Sequence, residues 1–315
     1  MPLEAPSTAF VFPGQGSQSV GMGKDLAEAE PLAAETFEMA DEVLGFPLSR
    51  LCWEGPDEAL NATENTQPAL LVHSVAVLRV FQSHRPDFLP SALAGHSLGE
   101  LSALVAAGSL GYEDAIRLVR ARGEAMRDAG ALQPGGMAAV LGLQVDQVRA
   151  ICEHAREATR AGVWVANDNC PGQVVISGDD QALDWASAKL SDEGARKVVR
   201  LAVSIAAHSP YMSAAQERFA DALRAAQLAD PRVPVLGNVS AAPLLTAQDV
   251  QGDLKAQLTA NVRWTESIEA MVRSGVDTFV EMGTGKVLTG LIKRIHPPST
   301  RLNLDDASSF AAAFS

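Results

Sequence analysis

The segment Gly95–Gly99 (GHSLG) has the residue types and spacing for covalent chemistry. It fits the pattern G-x-S-x-G, in which a serine occupies a sharp strand-to-helix turn and flanking glycines relieve crowding. A short apolar stretch at residues 91–95 leads into it and a helical pattern follows, which is the context that the pattern requires. The helix N-terminus would add backbone N–H groups near Ser97. We therefore predict that Ser97 is a nucleophile, with a helix-capping serine as the alternative.

A serine nucleophile needs a base, and the chain contains six histidines. His208 follows an apolar segment at the end of a predicted strand, and loops after parallel strands gather on the side that holds the nucleophile. His73 lies in an apolar helical run and is interpreted as a packed histidine, while His96 should leave the turn in another direction. Position alone favours His208, and a core histidine is the alternative.

Arg122 falls on the apolar side of a predicted helix over residues 112–129. The opposite side of this helix carries charges of alternating sign, which is typical of a solvated face. A guanidinium keeps its charge when it is buried and so requires an anion. That anion is either an internal carboxylate in a structural salt bridge or the carboxylate of a substrate.

The loop Phe12–Gln18 (FPGQGSQ) follows the first predicted strand, at residues 8–12. It is not a dinucleotide loop, because Ser19 occupies the place of the third glycine in G-x-G-x-x-G. A P-loop is also excluded, because neither Gly-Lys pair of the chain precedes Ser or Thr. The loop brings Gln15 to the end of the sheet, where an amide could donate to an oxyanion; a plain turn is the alternative.

The composition is that of an ordinary globular chain of 315 residues, with 47% hydrophobic and 20% charged residues. A formal net charge of -13 argues against binding to nucleic acid or to an acidic membrane surface. The three cysteines are far apart and form no CxxC pair, which excludes a disulfide framework or a zinc ribbon and fits a reducing cytoplasm. We expect neither a signal peptide nor a membrane span.

Strands alternate with helices along most of the chain, which indicates an α/β fold with a parallel sheet. Residues 25–80 are predicted to be largely helical, with one of several breaks at Pro68. Further strands are predicted at residues 233–236 and 278–281, and the tail from about Asp305 is expected to fray.

Residues 132–202 show the order β-α-β-β-α-β, which is typical of a split ferredoxin-like unit. The unit begins at a glycine-rich break, Gln133–Gly136. We therefore predict an inserted ferredoxin-like subdomain at residues 132–202, within a discontinuous body formed by residues 1–131 and 203–315.

Taken together, these features resemble the malonyl-CoA:acyl carrier protein transacylase family over essentially the whole chain. The matching segments are Phe10–Gln18, Gly95–Glu100, Arg122–Gly123, Asn169–Gly178, Val203–His208, Asn261–Trp264 and Glu281–Leu288. The resemblance implies an α/β-hydrolase-like body with a ferredoxin-like insertion. It also implies transfer of malonyl from malonyl-CoA to the phosphopantetheine thiol of acyl carrier protein, for cytoplasmic fatty acid biosynthesis. The expected route is a ping-pong cycle through malonyl-serine, which needs no metal or other cofactor.

The resemblance assigns a role to individual residues. Ser97 is the implied nucleophile and His208 the implied general base. Arg122 is implied to hold the free malonyl carboxylate. Gln15 and the backbone N–H of Leu98 are the implied oxyanion donors.

Three further positions are interpreted through the same resemblance. Gln257 matches the residue whose main-chain carbonyl orients the histidine. Ala207 stands where phenylalanine or serine is usual, so this position is implied to set how strictly malonyl is preferred over methylmalonyl. Thr284 replaces a usual proline and is expected to alter only a turn.

Acyl carrier proteins are typically acidic, so docking on an acidic chain needs a local basic patch. An ordinary solvated surface is the alternative for each candidate residue. The resemblance also implies a monomer. The candidate docking residues are Arg196, Lys197 and Arg200 in the insertion, and Lys286, Lys293 and Arg294 near the C-terminus.

Other functions remain compatible with the sequence. A serine thioesterase would share Ser97 and His208 but would not need Arg122. A non-catalytic partner or regulatory subunit could use the same fold. The same transfer could also serve a polyketide or malonate decarboxylase system.

Overall fold

The computed structural model describes residues 3–314. The strands of this part are β1 Thr8–Phe12, β2 Ala92–Gly95, β3 Gly136–Leu141, β4 Val163–Cys170, β5 Gln173–Gly178, β6 Lys197–Arg200, β7 Val235–Leu236, β8 Pro243–Leu244, β9 Thr278–Met282 and β10 Thr300–Leu304. The helices are α1 Lys24–Ala29, α2 Pro31–Leu44, α3 Leu48–Glu54, α4 Asp57–Asn61, α5 Thr63–His84, α6 Gly99–Ala106, α7 Tyr112–Leu132, α8 Val145–Thr159, α9 Asp180–Asp192, α10 Ser213–Ala225, α11 Ala247–Gln257, α12 Trp264–Arg273, α13 Val287–Ile295 and α14 Ala307–Phe314. None of these helices is both long enough and apolar enough to cross a bilayer.

The larger sheet has the strand order β10-β9-β1-β2-β7-β8. Its pairs are parallel except for the antiparallel pair β7–β8. Every residue of β1 is buried, because a central strand of such a sheet is covered on both faces. Parallel pairing brings the carboxyl ends of β1, β2 and β7 to one edge, so the loops after these strands lie together. The predicted α/β class with a parallel-sheet body is confirmed.

The smaller sheet has the order β4-β5-β3-β6, and its pairs are antiparallel. With helices α8 and α9 it gives the predicted order β-α-β-β-α-β. These elements share a hydrophobic core of their own, whose buried members lie between Ala138 and Leu190. We propose on this basis that residues 132–202 are the inserted subdomain and that residues 1–131 and 203–315 form one body.

The two faces of the smaller sheet have different neighbours, because side chains alternate along a strand. Ala138, Val140 and Ile176 belong to the core under the helices of the subdomain. Met137 and Val175 instead join the hydrophobic core of the body and line the cleft between the sheets. One face of the insertion is therefore a wall of the cleft.

The predicted helix break at Pro68 is wrong, since α5 runs through it. A proline in a helix lacks the N–H that would bond the carbonyl four residues earlier. Here that carbonyl belongs to Glu64, and it accepts a hydrogen bond of 2.9 Å from Arg120 Nη1. A side chain of α7 thus supplies the missing donor.

The expectation that the tail frays from about Asp305 is also wrong. Residues Ala307–Phe314 form α14, which follows the unpredicted edge strand β10. Phe310 is buried, and the ring of Phe314 stacks on His84 with ring centroids 4.8 Å apart. Two phenylalanines four residues apart share one helix face, which anchors an otherwise small and polar segment.

Candidate active site

Ser97 occupies the turn between β2 and α6 with a φ of 53°, in the left-handed region that non-glycine residues rarely adopt. The backbone of neighbouring segments lies too close to positions 95 and 99 to leave room for a side chain. A Cβ on Gly95 would lie 1.9 Å from the carbonyl of Gly99, and a Cβ on Gly99 would lie 2.3 Å from the oxygen of Phe12. Both glycines of the motif are therefore required by packing, and the strained serine lies in the predicted strand-turn-helix setting.

His208 lies beside Ser97, with 2.8 Å between its Nε2 and the serine Oγ. Its Nδ1 is 3.0 Å from the main-chain oxygen of Gln257. A carbonyl can only accept, so Nδ1 carries the proton and Nε2 is left to accept from the serine hydroxyl. Burial, and then the positive charge of Arg122, lower the pKa of His208 to about 3. The imidazole is consequently neutral at neutral pH.

Arg122 is only 1% exposed, and its guanidinium is held by neutral oxygens. Nη1 donates to Gln67 Oε1 at 2.7 Å, and Nη2 donates to Gln257 Oε1 at 2.8 Å and to Ser97 Oγ at 3.1 Å. Burial lowers the pKa of Arg122 to about 10, so it stays cationic at neutral pH. The salt bridge that the sequence left open is not formed within residues 3–314. A buried cation without a directly bonded carboxylate thus faces the serine, and the carboxyl of Glu100 acts on its pKa only from beyond Gln257.

Gln257 joins the other groups of the site. Its main-chain oxygen accepts from His208, and its Oε1 accepts from Arg122. Its Nε2 donates to the main-chain oxygen of Ser97 at 3.0 Å and to Glu100 Oε2 at 2.7 Å. The expectation from resemblance concerned the carbonyl alone, whereas the side chain also fixes the guanidinium and the turn.

The loop after β1 packs directly against the serine turn. A Cβ on Gly14 would lie 2.5 Å from the main-chain oxygen of His96, so glycine permits the contact. The loop places Gln15 on the wall of the cleft. The side-chain amide of Gln15 donates to Thr63 Oγ1 at 3.3 Å and is thereby held against the body.

The main-chain N–H groups of Gln15 and Leu98 are the candidate donors to an oxyanion. The Ser97 N–H donates to Asn238 Oδ1 at 2.7 Å. In the part of the chain that the structure describes, no acceptor is bonded to the N–H of Gln15 or of Leu98. Both residues thus keep a main-chain N–H without an acceptor among the described residues, whereas the Gln15 side-chain amide, which the loop pattern suggested as a donor, is bonded to Thr63.

The serine, the histidine and the arginine open into a cleft of about 550 Å³ between the two sheets. This volume is within the usual range for small-molecule sites. Ala207 lies on the cleft wall and is 6% exposed, so the predicted specificity position borders the cleft. The wall contributed by the smaller sheet consists of Met137, Ala139, Asn167, Asn169, Gln173 and Val175.

The C-terminal basic residues belong to a segment whose helix lines the cleft. Lys286, Lys293 and Arg294 are exposed on or next to α13. On the same helix, Leu288 and Leu291 line the cleft. Arg294 also reaches the smaller sheet, because its Nη1 donates to Gln173 Oε1 at 2.9 Å.

The basic residues of the insertion divide into two kinds. Arg200 pairs with Asp180 at 2.7 Å and with Asp184 at 3.4 Å. Arg196 and Lys197 are exposed at the start of β6, and no ion pair of theirs occurs within residues 3–314. Of the three candidate docking residues in the insertion, Arg196 and Lys197 therefore leave their charge available for docking.

Sequence reasoning missed three buried polar residues that build the site, namely Gln67, Glu100 and Asn238. Each of these residues has a feature in the sequence that could have marked it as part of the site. Gln67 begins a long apolar run, Glu100 directly follows the G-x-S-x-G motif, and Asn238 comes just after a predicted strand. A polar residue in such a place must find buried partners, and here the partners are the catalytic candidates.

A strained serine on a parallel sheet, bonded to a neutral imidazole and bordered by a buried guanidinium, defines an acyl-transfer enzyme of the α/β-hydrolase-like class. The acyl transferase domain family matches residues 9–297. The chain is 43% identical over 307 residues to the malonyl CoA-acyl carrier protein transacylase of Bacillus subtilis, covering 97% of this chain and 95% of that protein. The chain belongs to the malonyl-CoA:acyl carrier protein transacylase family.

Solved structures agree with this assignment. An acyl carrier protein S-malonyltransferase from Vibrio cholerae has a TM-score of 0.93 and 42% identity, covering 98% of this chain and 99% of that one. A malonyl-transacylase solved in complex with a type II PKS acyl-carrier protein has a TM-score of 0.93 and 40% identity, covering 98% of each chain. Both similarities extend over nearly the whole of each chain, and they therefore support the fold and the family assignment.

Proposed function

We propose that this chain transfers malonyl from malonyl-CoA to the phosphopantetheine thiol of acyl carrier protein and supplies fatty acid biosynthesis. The observation that carries the proposal is the buried Arg122 guanidinium, which bonds no carboxylate within residues 3–314 and lies 3.1 Å from Ser97 Oγ. Burying an unpaired cation is costly unless a ligand supplies the anion. The free carboxylate of malonyl is such an anion, and it lies at the end of the acyl group opposite the thioester. The family relationship supports the same substrate.

The first half of the cycle acylates Ser97. His208 Nε2 takes the proton of the serine hydroxyl while Oγ forms a bond to the malonyl carbonyl carbon. The main-chain N–H groups of Gln15 and Leu98 donate to the oxyanion of the tetrahedral intermediate. The carbon–sulfur bond then breaks, and the coenzyme A thiolate leaves with the proton that His208 returns.

The second half reverses these roles with a new thiol. The phosphopantetheine thiol gives its proton to His208 and attacks the carbonyl carbon of malonyl-Ser97. The ester bond breaks, and Ser97 Oγ recovers the proton from His208. Atoms and charge balance in both halves without a redox partner, so the chain's own groups suffice for each proton transfer.

Binding of the malonyl carboxylate also prepares the base. The positive charge of Arg122 is one of the causes that lower the pKa of His208. A carboxylate paired with the guanidinium offsets that charge and raises the pKa of His208 toward the range of an effective base. An acetyl group has no carboxylate and lacks this effect.

We propose that the carrier protein docks on exposed cations near the cleft. Those on or next to α13 are expected to contribute more to its binding than those of the insertion. Lys286 directly precedes Val287, which lines the cleft, and Arg294 bonds Gln173 on the cleft wall, while Arg200 is already paired with aspartates. We expect Lys286→Gln to raise the carrier protein's KM more at low salt than at high salt, because rim charges act through screened attraction. Arg200→Gln is the matched control, and an equal effect of both variants would remove the preference for α13.

We also propose that the enzyme acts as a cytoplasmic monomer. Ser97, His208, Arg122 and Gln257 bond one another within one chain, so the proposed chemistry requires no residue from a second copy. All three cysteines are free and buried, which suits a reducing compartment. Light scattering of the purified protein tests the oligomeric state.

The test of the proposed reaction is the covalent intermediate. After mixing with malonyl-CoA, we expect intact-protein mass spectrometry to show one added malonyl group, and peptide mapping to place it on Ser97. Ser97→Ala should show none, whereas the control Ser91→Ala should be acylated normally. Addition of holo carrier protein should move the group to its thiol. Release as free malonate instead would establish a thioesterase, and the absence of any adduct would leave a non-catalytic subunit.

A second candidate is the same transfer to a carrier protein of polyketide synthesis. The solved malonyl-transacylase in complex with a type II PKS acyl-carrier protein favours it. The two candidates differ only in the second thiol. Competition between a fatty acid carrier protein and a polyketide carrier protein distinguishes them, because the ratio of the two kcat/KM values measures the preference directly.

A further inference from the structure

Asn238 lies where the topology brings two strand ends together. It follows β7, which pairs in parallel with β2, and β2 leads into the serine turn. The side chain is only 3% exposed. A buried amide at this place must satisfy both its oxygen and its nitrogen.

The Asn238 amide bonds to both sides of the serine turn. Its Oδ1 accepts from the Ser97 N–H at 2.7 Å, and its Nδ2 donates to the main-chain oxygen of Gly95 at 2.7 Å. The same side chain thus holds the residue that ends the strand and the residue that carries the hydroxyl. A carboxylate could accept but not donate, and a hydroxyl is too short to span both groups.

Asn238 is itself fixed by the surrounding network. Its N–H donates to Glu100 Oε2 at 3.2 Å, and its carbonyl accepts from the Arg263 N–H at 3.0 Å. The same Glu100 oxygen accepts from Gln257 Nε2 at 2.7 Å. The amide that holds the serine turn is therefore connected to the residue that positions the histidine and the arginine.

We propose that Asn238 is a positioning residue that clamps the turn of Ser97. By bonding the Ser97 N–H, it removes that donor from the oxyanion hole and leaves the Leu98 N–H as the donor of the turn. It also holds Ser97 at a φ of 53°, a strained conformation that persists only where the surroundings over-determine it. This inference rests on the proposed role of Ser97 as the nucleophile.

Reactivity of Ser97 toward a small fluorophosphonate probe isolates this role, because the probe does not use the guanidinium. We expect Asn238→Ala to slow labelling roughly 10–10²-fold, since a small misplacement of a nucleophile is costly. The ratio of malonyl to acetyl transfer should stay near that of the wild type, because Asn238 does not bond Arg122. Asn65→Ala is the control: the Asn65 side chain also donates to a carbonyl and accepts from an arginine, outside the cleft.

Asn238→Asp supplies a signature that a merely structural role would not give. Ionised aspartate faces the Gly95 oxygen without a donor, whereas protonated aspartate restores both hydrogen bonds. Labelling of Asn238→Asp should therefore rise relative to Asn238→Ala as the pH falls. The nearby titratable groups Glu100, Asp253, His96, His208 and Arg122 are common to both variants, so their effects cancel in this ratio.

The outcomes separate the clamp from the reaction. If the wild type is labelled at Ser97, and Asn238→Ala is labelled equally fast, the clamp is overturned while the nucleophile stands. Slow labelling of both variants at a pH-independent ratio also overturns the clamp, because the paired hydrogen bonds would not be the cause. If wild-type Ser97 is neither labelled nor acylated, the proposed function itself fails.

Discussion

The two sheets that face each other across the cleft bring different kinds of side chain to it. From the body come a strained serine, a neutral buried imidazole and a buried guanidinium, at Ser97, His208 and Arg122. From the smaller sheet come apolar side chains and the amides of Asn167, Asn169 and Gln173. None of its residues on the cleft wall is ionisable.

This difference separates chemistry from recognition. Charge that moves during acyl transfer needs preorganised groups in a dry site, and those belong to the body. We propose that the amide groups of a phosphopantetheine arm bind to the neutral donors and acceptors that the insertion supplies. Beside the serine turn the two sides are joined by the 2.8 Å hydrogen bond between His96 Nε2 and Asn169 Oδ1.

The largest effect on the body side is expected from His208→Ala. Without the base, the rate of Ser97 acylation by malonyl-CoA should fall about 10²–10⁴-fold. Rapid-quench measurement of the acyl-enzyme burst checks this. The exposed His154→Ala is the control, and a near-normal burst in His208→Ala would assign the base to another group.

Arg122→Ala is expected to alter selectivity as well as rate. Malonyl loses a charged hydrogen bond that acetyl never forms, so the ratio of malonyl to acetyl kcat/KM should fall roughly 10–100-fold. Arg117→Ala, on the exposed face of the same helix and paired with Glu113, should leave the ratio unchanged. Equal impairment of both substrates would make Arg122 purely structural.

The lowered pKa of His208 also predicts how stability depends on pH. Between the ordinary value of 6.5 and about 3, the unfolded chain binds a proton at this residue and the folded chain does not. The free energy of unfolding therefore falls as the pH drops through that window. In His208→Gln this fall should be smaller, as denaturant titrations at several pH values would show. Parallel pH dependences of the wild type and this variant would contradict the neutral buried imidazole.

The smallest effect is expected from Ala207→Phe. Alanine leaves room beside the acyl group, so we expect detectable methylmalonyl transfer by the wild type. The larger ring should raise the preference for malonyl-CoA by roughly tenfold, the lower end of what a single methyl in an apolar pocket is worth. The comparison is kcat/KM for both thioesters, with Ala202→Phe on the same wall as the control. An unchanged ratio would place specificity elsewhere.

The parts of the site that follow from local pattern could be predicted from the sequence. The turn of Ser97 is encoded by two glycines and a short strand, and the burial of Arg122 by the helical period. The parallel-sheet body and the antiparallel insertion follow from the order of the elements. The family resemblance added Gln257 and Leu98, which no local pattern marks.

What could not be predicted depends on contacts between distant segments. The helix continues through Pro68 because Arg120, 52 positions later in the chain, supplies the missing donor to Glu64. Asn238 bonds Ser97 across 141 positions of sequence. The tail helix forms because Phe310 and Phe314 find partners on α5. Propensity carries no information on such partners.

The division between the sheets is tested most directly by single-turnover acylation in two variants, Gln257→Leu and Asn169→Ala. We expect Gln257→Leu to lower the rate at saturating malonyl-CoA by roughly tenfold or more, because it removes the side-chain hydrogen bonds to Arg122 and to the turn of Ser97. Asn169→Ala should leave that saturating rate nearly unchanged and raise the concentration needed to reach it. If Asn169→Ala instead lowers the saturating rate as strongly as Gln257→Leu, the insertion takes part in the chemistry and the division is contradicted.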